Sequence, residues 1–100
     1  MDLRREQRFS ISVAGRYRKG IGVRYDVAIA DVSEYGCQFR DFSGRVTADD
    51  KITIRIDNVG PLDARVKWVG NRTIGVEFDL PLHPSVLEHL VNLSERPAAA

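Results

Sequence analysis

The 100-residue chain is the size of one domain, burying about 65% of its unfolded surface, and leaves no room within it for a two-domain enzyme. Its 43% hydrophobic and 29% charged residues are ordinary globular usage, which argues against disorder throughout. A net charge of +1 hides an asymmetry: residues 1–25 hold seven Lys/Arg against Asp2 and Glu6, and the remainder hold eight against twelve acids. A basic end on a nearly neutral body suits a small, multiply charged anion better than bulk nucleic acid.

Arg4, Arg5 and Arg8 interrupt the N-terminus before a signal-peptide core could form, and the apolar runs are short, so a cytoplasmic protein without membrane insertion is expected. Residues 1–8 read as an arm with little to bury, mobile until its arginines meet an anion. Period-two alternation then begins. Phe9, Ile11, Val13 and Tyr17 alternate with Ser10, Ser12, Ala14 and Arg16, and Lys19-Gly20 supplies a turn. Val23, Tyr25, Val27 and Ile29 continue the pattern toward Asp31, and Cys37 with Phe39 resumes it after Gly36. Three further strands surround Ile52–Ile56, Ala64–Trp68 and Ile74–Phe78, with turns at Gly44, Asp49-Asp50, Asn58 with Gly60-Pro61, and Gly70-Asn71. Six short antiparallel strands, each with one wet face, lose their edges best by closing into a small barrel or split barrel, a sandwich being the alternative.

A helix follows: Ser85 and Glu88 have capping-box spacing after Pro84, and Val86, Leu87, Leu90 and Val91 form one apolar stripe that would lid the barrel. The expected organisation is an arm at 1–8, a barrel with its helix at 9–94, and a disordered tail at 95–100.

No catalytic set assembles. His83 and His89 do not share a face as metal ligands would, so no metal and no cofactor are expected. Cys37 sits on an apolar strand position and reads as core rather than nucleophile. Gly20 and Gly22 are a turn without the context of a dinucleotide fingerprint. Trp68 shares parity with Ala64 and Val66 and reads as core, with base stacking the alternative at a rim position.

Two segments remain. Arg4-Arg5-Glu6-Gln7-Arg8 precedes the first strand, where core packing explains no guanidinium. Asp31-Val32-Ser33-Glu34-Tyr35-Gly36 interrupts two strands, and a regular strand would bury Asp31 and Ser33 while exposing Val32. A bulge or face switch would instead send Val32 to the core and leave Asp31 and Ser33 on an outer surface.

Together these segments resemble the PilZ domain, a receptor family for the bacterial second messenger cyclic di-GMP. The family's R-x-x-x-R is matched by Arg4 and Arg8, with Arg5 inside it, and its D/N-x-S-x-x-G by Asp31, Ser33 and Gly36. Val66-Lys67-Trp68 and Gly75-Val76-Glu77-Phe78 look like the family's closing strands, so the resemblance spans nearly the whole chain. It implies a ligand-binding site at Arg4, Arg5, Arg8, Asp31, Ser33 and Gly36, no catalysis, and a downstream protein partner.

The chemistry fits that ligand. Guanidiniums fork onto phosphate oxygens or guanine O6 and N7, which suits Arg4, Arg5 and Arg8. An ionised carboxylate only accepts, and guanine's N1–H and N2–H₂ edge only donates, so Asp31 would select guanine over adenine. Ser33 offers a donor to phosphate or ribose, and Gly36 offers close approach or positive φ. Leu3, just ahead of the arginines, would favour one ligand copy per chain over two. Ligand-induced ordering of the arm would change the surface shown to a partner. The competing readings are a PilZ-fold interaction module without ligand, and a small nucleic-acid-binding barrel stacking bases on Tyr17, Tyr25, Tyr35 or Trp68. The leading reading needs neither DNA nor RNA.

Overall fold

The computed structural model describes residues 7–41 and 43–95. The arm residues Leu3, Arg4 and Arg5 and the tail beyond residue 95 therefore lie outside the described residues, and with them the expectations of a mobile arm and a disordered tail.

The elements are β1 (Phe9–Lys19), β2 (Arg24–Val32), β3 (Gly36–Arg40), β4 (Lys51–Ile56), β5 (Val59–Gly70), β6 (Thr73–Phe78) and α1 (Pro84–Glu95). The strands close into an antiparallel barrel in the order β1-β2-β3-β6-β5-β4, with β1 sealed against β4 from Gly15↔Ile56 to Lys19↔Ile52. Closure removes the strand edges, as the one-face-apolar pattern anticipates. Ile11, Val13 and Tyr17 from β1, Ile29 and Val32 from β2, and Ile52, Ile54 and Ile56 from β4 all point into one core. Each such side chain contributes about 1.5–3 kcal/mol by leaving water.

Two expected turns shift. The β4–β5 connection is Asp57-Asn58, Asp57 taking φ 54°, and Gly60-Pro61 belongs to β5. Proline is tolerated there because it lies near a strand start, beside the register shift between Ile54 and Ile56. The β5–β6 hairpin turns on Asn71-Arg72, both with positive φ, between the paired Gly70 and Thr73, which is a two-residue primed turn.

Helix α1 covers one end of the barrel, burying Leu90 completely and packing Val86, Leu87 and Leu93 against the core. The cap differs from the expected box. Pro84 occupies the first helical position, and His83 caps the helix: its Nδ1 accepts from Ser85 N at 3.1 Å and lies 2.8 Å from Ser85 Oγ, and its carbonyl accepts from Val86 and Leu87 N. Ser94 anchors the other end of the helix, its Oγ accepting at 2.8 Å from Ser12 N, inside the register shift between Ser10 and Val13. The bulge frees a donor from the ladder, and the helix satisfies it.

A polar network ties the loop after β3 to the barrel. Tyr17 Oη donates to Asp41 Oδ2 at 2.8 Å, Ser43 Oγ donates to the same oxygen, Arg45 lies 3.7 Å from Asp41, and the Arg45 guanidinium sits 3.6 Å above the Tyr25 ring. Burial alone would push the Asp41 carboxyl up, but hydrogen bonds from Ser43 and Tyr17 and the charge of Arg45 outweigh it and hold the pKa below 3.8. A depressed folded-state pKa stabilises the fold above the unfolded value and is lost as pH falls through the folded one. Asp41→Asn is therefore expected to cost about 2 kcal/mol at neutral pH and to flatten the loss of stability below about pH 4. Urea midpoints of the two proteins that stayed parallel through that range would remove Asp41 as the acid-sensitive group.

Candidate functional site

The expected face switch occurs, and the register shows how. On β2, pairing with β3 shifts between Ile29 and Asp31, so Ile29 pairs with Phe39 while Asp31 pairs with Gln38 and Val32 with Cys37. Val32 is fully buried, as expected, and the Asp31 side chain keeps 23% exposure. Ser33 corrects the expectation: it is fully buried, not on an outer surface. Its Oγ accepts from Tyr35 N at 3.1 Å and Gly36 N at 3.2 Å, and its own N–H donates to Gly36 O at 2.8 Å. The hydroxyl closes the β2–β3 turn, as serine commonly does for nearby backbone donors.

Gly36 is required for space rather than for positive φ. A Cβ at residue 36 would run into the Val76 carbonyl of β6, with Glu77 Cα 3.3 Å away. The turn is held from outside as well, since Tyr35 O accepts from Phe78 N and Glu34 O accepts from Leu82 N, each at 2.8 Å.

Arg8, one residue before β1, reaches this turn. Its Nη2 lies 2.9 Å from Asp31 Oδ1, with the two side chains 34% and 23% exposed, an ion pair by distance though not in hydrogen-bond geometry. The two sequence segments thus meet through Arg8 and Asp31, while Arg4 and Arg5 lie outside the described residues. An open cleft of about 190 Å³ adjoins the pair, lined by Arg8, Tyr35, Gln38, Trp68, Gly75 and Glu77 among others. It is smaller than the roughly 300–1,000 Å³ of enclosed small-molecule sites, so a ligand here lies on the barrel surface and seats only part of itself.

Trp68 is not core. The β5–β6 register shifts between Val66 and Trp68, so that Val66 pairs with Val76 but Trp68 with Gly75. The bulge turns the indole onto the outer face, 43% exposed and resting on Gly75, where any Cβ would collide with the ring. Beside it Lys67 Nζ and Glu77 Oε1 are 3.5 Å apart. Sequence parity missed this, although a glycine between Ile74 and Val76 opposite the chain's single tryptophan was the available signal.

Cys37 lies beneath the cleft. Burial pushes its thiol up to about 12, Arg8 opposing and Asp31 reinforcing that shift, so it stays protonated and is no nucleophile. Among the described residues, no group of three or more His, Cys, Asp or Glu side chains is placed to hold a metal ion. No helix among them is long and apolar enough to cross a membrane. Two of the aromatic platforms that a nucleic-acid barrel would use are committed elsewhere: Tyr17 is buried, and Arg45 covers Tyr25.

The closed barrel carries a charged, aromatic-floored surface cleft, and the class of domain follows from the family to which the chain belongs. The family model described as PilZ domain matches residues 2–96, and the chain belongs to that family, whose domains are generally cyclic di-GMP-binding receptor modules rather than enzymes. Among curated proteins no match to the chain was found.

Proposed function

We propose that this protein is a cyclic di-GMP receptor whose ligand lies across the cleft between the β2–β3 turn and the outer face of β5 and β6. The observation that carries this reading is the Arg8–Asp31 pair at the edge of a cleft floored by Trp68 on Gly75. Arg8, joined by Arg4 and Arg5 from the arm, supplies forked donors to phosphate oxygens and to guanine O6 and N7. Asp31 accepts from the guanine N1–H and N2–H₂ edge. The exposed indole offers a flat face for a base, a contact worth about 1–3 kcal/mol. Ser33 and Gly36 serve by shaping the turn that presents Asp31, a positioning role that replaces direct donation from Ser33.

Binding orders the arm and changes the surface available to a downstream protein, so the output is an altered contact rather than a reaction. The reading implies a protein of the bacterial cytoplasm, where this messenger acts.

Isothermal titration calorimetry with cyclic di-GMP, against GTP and cyclic di-AMP, tests it. Saturable heat with cyclic di-GMP alone, at one ligand per chain as Leu3 would favour, is the expected result. Trp68 is the single tryptophan, so its fluorescence should change over the same titration and saturate at the same stoichiometry. A folded sample giving no heat at several temperatures would leave a ligand-independent interaction module. Heat without a fluorescence change would put the base elsewhere than on Trp68.

A further inference from the structure

Four cations of the basic N-terminal quarter take no part in the ligand site: Arg16, Arg18, Lys19 and Arg24 belong to the β1–β2 hairpin. In the closed barrel β1 neighbours β2 and β4, whereas the cleft is built on β3, β5 and β6, so this cluster lies on the other side. Strand register concentrates its charge. Arg18 pairs with Arg24 across β2 and with Thr53 across β4, and Arg16 pairs with Arg55 on β4 and with Asp26 on β2. Asp26 Oδ1 holds Arg16 Nε at 2.9 Å, and Asp50 holds Lys19. Arg18, Arg24 and Arg55 have no carboxylate partner among the described residues, and Arg18 Nε is buried without a hydrogen-bond partner. Like charges facing each other across antiparallel strands destabilise the sheet, so this arrangement gains only when an anion joins it. The arginines line a cleft of about 130 Å³ together with Thr53, Ile54 and Pro61.

The hairpin tip adds a second, independent feature. Gly22 N donates to Lys19 O at 3.1 Å, and Gly20 takes φ 61°, closing a tight turn that pushes Ile21 outward. Ile21 is 97% exposed and Val23 67% exposed. Neither has a core role, and both sit at the exposed hairpin tip, flanked in the chain by Arg18, Lys19 and Arg24. A protein partner would need a matching pocket for that tip, whereas a lipid headgroup layer yields to it and carries phosphates in excess.

We propose that the β1–β2 hairpin docks peripherally on an anionic lipid surface, with Arg18, Arg24 and Arg55 holding headgroup phosphates and Ile21 and Val23 seated at the boundary between headgroups and acyl chains. The docking face and the messenger cleft are separate, so both sites can be filled at once.

Flotation of the full chain with vesicles tests this. Binding is expected to phosphatidylcholine vesicles containing phosphatidylglycerol and not to phosphatidylcholine alone, and it should fall as salt is added. The double variant Arg18→Gln/Arg24→Gln should lose about 30-fold in partitioning, from about fivefold per cation. Ile21→Ser with Val23→Ser should lose about tenfold. Arg18→Lys/Arg24→Lys should keep most of the binding, because a charged surface does not require forked donors. Unchanged melting curves would show that each variant is folded. Absence of the wild-type chain from anionic vesicles would overturn the proposal, as would full binding by the serine variant. A loss in the lysine variant as deep as in the glutamine variant, or charge-dependent binding to soluble polyglutamate with none to vesicles, would assign the face to an acidic protein segment instead.

Discussion

Gly36→Ala is expected to destabilise the fold by about 3 kcal/mol, a large share of the roughly 5–15 kcal/mol that holds a domain folded. The added Cβ would overlap the Val76 carbonyl and crowd Glu77 Cα, which are backbone atoms of a paired strand rather than the far end of a flexible side chain. Relief requires β3 to move away from β6, and Gly36 is also where the turn closes: its N–H donates to Ser33 Oγ and its carbonyl accepts from Ser33 N. The substitution should therefore lower the urea midpoint and also weaken ligand binding, by displacing the turn that carries Asp31. Gly70→Ala is the control, since nothing lies within 4 Å of a Cβ there and its φ is not in the left-handed range. It should be neutral or stabilise by up to about 1 kcal/mol through the unfolded chain. If urea titration gave both variants the same midpoint, β3 would be free to shift and the tight contact would not be what Gly36 serves.

The sequence carried the barrel because each strand has one wet face, and alternation is a local property that a single strand displays by itself. Bulges are different: they depend on the register of the partner strand. At Asp31 the bulge was legible only because Val32 broke parity with its neighbours. At Trp68 the parity with Ala64 and Val66 pointed inward, and only the adjacent apolar Val69 and the glycine opposite hinted at the shift beside Gly75. Ser33 illustrates a further limit. A short hydroxyl in a D-x-S-x-x-G turn suits a ligand donor and a turn-closing acceptor equally well, and its complete burial assigns its oxygen to the turn. His83 took the capping place expected of Ser85 because Pro84 filled the first helical position and left the residue before it to cap. The meeting of Arg8 with Asp31 was implied by the two motifs, yet it depends on Phe9 pairing with Val32, which brings the start of β1 beside the end of β2.

That pairing makes a double-mutant cycle at Arg8 and Asp31 the most informative binding experiment. Arg8→Ala should weaken cyclic di-GMP binding at least about tenfold, and Asp31→Ala by about 10- to 100-fold, from charge-assisted hydrogen bonds of about 1.5–3 kcal/mol. Stability should fall by about 1–2 kcal/mol in Arg8→Ala, which leaves the buried Asp31 Oδ1 without its cation, and by less in Asp31→Ala, which removes that oxygen. The two binding losses should not add. Asp31 Oδ1 faces the Arg8 guanidinium, so removing either group also releases the other from its position, and the double variant should fall short of the sum by about 0.5–3 kcal/mol. Asp31→Asn separates shape from chemistry: the amide keeps the volume but replaces one acceptor with a donor that opposes guanine's N–H edge. Its affinity for cyclic di-GMP should drop about tenfold while discrimination against cyclic di-AMP narrows. Additive losses would mean that Arg8 and Asp31 contact the ligand independently, and an Asp31→Asn protein with undiminished preference for guanine would require the base edge to be read by another group.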